Sequence, residues 1–158
     1  MARRPRRLNV RCDAMNPVLT VTRSRRWANR VVYVVRANRK IRKVNGQKYG
    51  SRILYIGMTS VGKLRPANSS CWKADKVFKD KTRGIRRGVK RLDVHLVNCD
   101  GRQGVNIWRK LESSLLAAFR DVHDGQLPVY NRLGKKARVA TRYFRTGHLK
   151  SLIRRLSV

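Results

Sequence analysis

The chain has 158 residues, enough for one core with extensions and hardly enough for two. Hydrophobic residues make up 41%, which argues against wholesale disorder, and no apolar run approaches the roughly 18 residues that a membrane span needs. Forty Lys and Arg face eight acids, and a net charge of +32 calls for a polyanion to relieve self-repulsion. Nucleic acid fits best, since each neutralised phosphate releases counterions. An anionic membrane fits less well, because the chain has no long amphipathic basic helix and no lipidation signal.

Residues 1–30 carry nine Arg, no Lys and a single acid, Asp13. This fits a nucleic-acid arm and an organellar transit peptide equally, and lacks the apolar core of a secretory signal. Cys12, Cys71 and Cys99 are scattered, with no CxxC spacing, as are His95, His123 and His148. That distribution speaks against a zinc site or disulfide framework and for a reducing, intracellular compartment, cytoplasmic or organellar. Residues 31–134 hold 23 of the Lys and Arg and seven of the acids, and residues 135–158 hold eight Lys and Arg and no acid. The expected organisation is a basic N-terminal arm (1–30), a mixed-charge domain (31–134) and a basic C-terminal extension (135–158).

Within that domain, VVYVVR (31–36) reads as a buried strand, apolar on both faces. Residues 38–50 are polar and basic with a turn signal at Asn45-Gly46, and RILYIG (52–57) is a second strand. Together 31–57 predict a hairpin with a long basic tip. A loop containing Gly62 and Pro66 leads to a weakly patterned helix near 71–81 with Trp72, Val77 and Phe78. Alternation over 89–98 predicts a third strand, and DGRQG (100–104) breaks the chain. Ile107, Leu111, Leu115, Ala118, Phe119 and Val122 recur at three- and four-residue spacing, predicting a helix over 106–121 with Asn106 as N-cap. Pro128 and Gly134 close the domain, and a short helix is expected at 148–156. The β-β-α-β-α order predicts an α+β fold: a small three-stranded antiparallel sheet flanked by helices.

Glu112 is the only glutamate, and it lies on or beside the apolar stripe of the best helix, next to Trp108, Leu115 and Leu116. A buried carboxylate costs several kcal/mol unless an Arg or a divalent cation compensates it. A helix-edge ion pair is the plain reading. Tyr33 and Tyr55, one on each hairpin strand, read singly as strand residues, and Asn131 as a turn residue.

Taken together, VVY (31–33), YIG (55–57) followed by Met58-Thr59, LESSLLAAF (111–119) and PVYN (128–131) resemble the GIY-YIG nuclease superfamily over about residues 31–134. The resemblance implies a catalytic set of Tyr33, Tyr55, Arg65, Glu112 and Asn131, with Arg65 ten residues after Tyr55 where the family arginine is expected. Val31 stands where the first motif usually has glycine, the tyrosines are 22 residues apart, and Ser69 replaces a common His or Tyr.

The implied chemistry is phosphodiester hydrolysis with one hard divalent ion, Mg²⁺ or Mn²⁺, on Glu112 and no small-molecule cofactor. Arg65 would clamp phosphate oxygens, Tyr33 would take a proton from water, Tyr55 would hold or orient that water, and Asn131 would fix the geometry. A phenol, titrating near 10, needs neighbouring cations to act as a base at neutrality. Expected nucleic-acid contacts are Arg3, Arg4, Arg6 and Arg7 in the N-terminal arm, Arg39, Lys40, Arg42 and Lys43 in the hairpin tip, and Arg86, Arg87, Lys135 and Lys136. The alternative reading is a non-catalytic RNA- or DNA-binding protein reusing this fold, such as a ribosomal or ribonucleoprotein component.

Overall fold

Five consecutive residues from Val31 to Val35 are buried, which makes this β-branched run the middle of the sheet rather than an edge. A computed structural model describes residues 29–61, 77, 79, 89–100, 106–131 and 137–158. The described elements are β1 (Val31–Val44), β2 (Gln47–Thr59), β3 (Leu92–Asn98), α1 (Ile107–Val122) and α2 (Thr146–Ser157). The strands form one antiparallel sheet in the order β2-β1-β3. The α+β class and three-stranded sheet expected from the sequence are therefore present.

The hairpin is longer than its apolar runs suggest. β1 continues to Val44 and β2 starts at Gln47, so the basic tip expected over 38–50 is itself mostly strand. Asn45 (φ 50°) and Gly46 (φ 81°) are both left-handed, the pair a two-residue type I′ turn requires, and Val44 pairs with Gln47 across it. Main-chain pairing extends the strands through charged residues that carry no strand pattern of their own. β3 is shorter than the 89–98 expected, because residues 89–91 precede the ladder. Asn38 holds that preceding stretch instead, its N–H donating to the Arg91 carbonyl at 3.0 Å and its Oδ1 accepting from Lys90 N–H at 3.1 Å.

The core lies on one face of the sheet. Val32, Val34, Leu54 and Ile56 meet Leu111, Leu115, Ala118 and Phe119 of α1 and Leu149 and Ile153 of α2. The last helix, on the stretch expected as a basic extension, thus contributes to the same core. Its observed span brackets the expected 148–156. Asn106 precedes α1 as expected, but in the left-handed region (φ 48°) and with no side-chain capping bond. Its carbonyl accepts from Arg109 N–H at 3.0 Å. The helix expected near 71–81 falls outside the described residues except for Val77 and Lys79, both helical, with Val77 in the core. No helix among the described residues is long and apolar enough to cross a membrane.

Candidate functional site

Register builds the centre of the site. Tyr33 on β1 pairs directly with Gly57 on β2, and Tyr55 lies two residues before Gly57. Alternation therefore puts Tyr33, Tyr55 and Gly57 on one face, opposite Val32, Val34 and Ile56. The two rings lie 5.8 Å apart at 43°. A Cβ on Gly57 would stand 2.5 Å from Tyr55 Cε1 and 2.8 Å from Tyr33 Cζ. Only glycine lets the rings close over the strand in this way.

Asn131 braces the same spot from the free edge of β2. Its Oδ1 accepts the Ile56 N–H at 3.0 Å and its Nδ2 donates to the Ile56 carbonyl at 2.7 Å. Ile56 separates Tyr55 from Gly57, so this amide holds the backbone between them. The PVYN segment is a tight turn, with Asn131 N–H donating to the Pro128 carbonyl at 2.8 Å. Tyr130 N–H reaches the Leu54 carbonyl at 3.0 Å, and Val129 N–H reaches the Tyr49 hydroxyl at 3.3 Å. Burial pushes the Tyr49 phenol up, so it stays a neutral donor, and its proton goes to the Ile53 carbonyl.

Glu112 is buried, 8% exposed, on the flank of α1's apolar stripe. The ends of α1 are fixed by two aromatic contacts. The Arg30 guanidinium lies 4.9 Å from the Trp108 ring at the start of β1, and Phe119 lies beside Tyr49 at the start of β2, with centroids 6.1 Å apart. Glu112, one turn past Trp108, sits in the helix layer, whereas the rings occupy the other sheet face. Tyr33, Tyr55 and Asn131 are thus assembled around one stretch of β2, and Glu112 belongs to the adjoining layer.

A hard divalent ion keeps several waters and accepts a single carboxylate ligand. Glu112, a buried carboxylate in a chain with 40 Lys and Arg, meets that minimal requirement. No group of three or more His, Cys, Asp and Glu that could hold a metal occurs among the described residues.

Of the expected basic contacts, Arg39, Lys40, Arg42 and Lys43 are exposed on the hairpin. Arg3, Arg4, Arg6, Arg7, Arg65, Arg86, Arg87, Lys135 and Lys136 lie outside the described residues. Sequence reasoning missed Lys48, which pairs across from Lys43, and the steric role of Gly57. The YIG motif carried the signal for Gly57, and the residues just after the Asn-Gly turn carried the signal for Lys48.

Comparison with protein-family models, with curated proteins and with solved structures returns no match for this chain.

Proposed function

We propose that the chain is a nucleic-acid-binding endonuclease of GIY-YIG type that hydrolyses phosphodiester bonds. The carrying observation is the closure of Tyr33 and Tyr55 over Gly57, with Asn131 clamped to the intervening residue. Tyr33 is the proton acceptor and Tyr55 orients the attacking water. Asn131 is a positioning residue, because both ends of its amide are engaged by Ile56. Arg65 neutralises phosphate oxygens by bidentate donation. Glu112 would hold one Mg²⁺ or Mn²⁺ ion, which when bound supplies Lewis acidity toward the phosphate. Basic side chains hold the strand by its phosphates.

A second reading, a non-catalytic nucleic-acid-binding protein, is favoured by two features. Tyr33 is only 2% exposed, and α1 packs on the sheet face away from the rings. Either reading keeps the polyanion partner.

The test is nicking of supercoiled plasmid and cutting of labelled RNA by the full chain with Mg²⁺ or Mn²⁺. Glu112→Gln should abolish cutting and leave binding within a few-fold of the parent. Tyr33→Phe should lose cutting at unchanged stability. Binding without cleavage under every divalent ion would sink the nuclease and leave the binding protein.

A further inference from the structure

We infer that the tip of the β1–β2 hairpin, residues 39–48, is a groove-inserting ribbon that seats in the major groove of B-form duplex DNA. The inference rests on the nucleic-acid-binding part of the proposed function and needs no cleavage.

β3 pairs with β1 only through Ala37, so the two paired strands continue past the third as a ribbon closed by the Asn45-Gly46 turn. One face is anchored to the body. Ile41 and Tyr49 are buried, and Val44 packs against the core. The pair Lys43↔Lys48 lies next to Val44↔Gln47 in the ladder and so points to the opposite, outward face. Both lysines are exposed.

Two like charges placed directly across a ladder repel, and folded proteins ordinarily avoid the arrangement. Among the described residues nothing relieves it. No acid occurs between Asp13 and Asp75. No acid pairs with Arg39, Lys40, Arg42, Lys43 or Lys48 among the described residues. Nearby, the stem of Lys40 lies along Gly50, with its Cε 3.9 Å from where a Cβ would stand. Five cations within ten residues, none of them in an ion pair among the described residues, form a surface whose repulsion falls when phosphates line up on both sides of it.

The shape chooses among nucleic acids. A two-stranded ribbon fits the B-form major groove, about 12 Å wide, with a phosphate backbone on either flank. The major groove of A-form RNA is too deep and narrow for it. Single strands are gripped by stacking bases on exposed aromatic rings. Residues 39–48 include no aromatic residue, and the adjoining Tyr49 is buried.

The experiment is fluorescence anisotropy with the full chain against a DNA duplex of about two turns, the RNA duplex of the same sequence and the matching single strand, each over a salt series. A fourth probe is the DNA duplex with glucosylated hydroxymethylcytosine, which fills the major groove. We expect the DNA duplex to bind tightest, at least tenfold tighter than the RNA duplex, and glucosylation to weaken it by a similar factor. A minor-groove ligand should compete poorly. The double substitution Lys43→Gln, Lys48→Gln should lower the slope of log K against log salt by about 2, at about 0.9 per lost phosphate contact. Equal affinity for RNA duplex, or glucosylated DNA bound as well as plain DNA, overturns the inference. Because these arms use the unaltered chain, poor folding of the variant does not decide the matter. Failure to bind any probe would remove the nucleic-acid reading itself.

Discussion

At the scale of single residues, Gly57 is the most constrained position in the described site. Tyr33 is enclosed and cannot swing away from an added methyl. Gly57→Ala should therefore destabilise the fold by about 1–3 kcal/mol, as overpacking does. Urea denaturation measures this, and a variant as stable as the parent would show that the rings are looser than their contacts imply. Asn131 sets a different kind of demand. Asn131→Asp keeps one acceptor but loses the donor to the Ile56 carbonyl and sets a carboxylate oxygen against it, so it should cost more than Asn131→Ala. Such pairing could not be read from the chain, where the side chain of residue 131 meets a backbone 75 positions away. A lone Asn after Pro-Val-Tyr reads only as a turn residue, and it is that too.

At the scale of elements, α2 is tied to β2 and to the end of α1 by a chain of hydrogen bonds. Ser51 Oγ donates to Ser157 Oγ at 2.9 Å, and Ser157 Oγ lies 2.9 Å from His123 Nε2. The half-buried imidazole favours its neutral form. Burial, and after it the Lys40 charge, holds His123 below its ordinary value. As pH falls, the unfolded chain takes up the proton first. The contribution of the neutral imidazole is therefore full above about 6.5 and is lost as pH drops through the folded-state value. His95, depressed by burial and by Arg36, acts in the same direction. The urea midpoint should fall from about pH 7.5 to about pH 5, and His123→Gln should flatten part of that fall. Ile153→Ala, which empties a fully buried position in α2, should cost about 2–5 kcal/mol. A cost below 1 kcal/mol, on the order of a surface change, would mean that the helix is not a core element.

Elements differed in how readily they could be read. The apolar run of β1 and the three-four spacing of α1 announce themselves because burial on a regular element leaves a periodic trace. The ribbon leaves none. Arg39, Lys40, Arg42 and Lys43 are poor strand formers, and only pairing across the Asn-Gly turn makes them strand. Alternation over 89–98 predicted a third strand, and β3 is one, yet Val94, Leu96 and Val97 are exposed by 38, 42 and 37%. Alternation records which residues share a face, not whether anything covers that face. The tyrosine pair was recoverable only through its motifs, since each ring alone is ordinary strand filling.

For the molecule as a whole, charge sets the terms of stability. A net +32 on a chain this size opposes compaction, and the opposition weakens as salt shortens the range of repulsion. The melting temperature should rise with moderate NaCl, and more steeply with heparin or polyphosphate, which bind the folded form. A melting temperature indifferent to both, followed by calorimetry, would mean that the cations are spread widely enough to ignore one another.

The outer flank of β3 gives this electrostatic shield a second meaning. Among the described residues that strand has a neighbour on one side only, and three of its apolar side chains meet water. Open flanks of this kind zip together edge to edge when copies of a protein collide. Mutual repulsion keeps the copies apart in dilute buffer. Concentrated salt lifts that barrier, so preparations should turn cloudy at ionic strengths where each separate molecule is at its sturdiest.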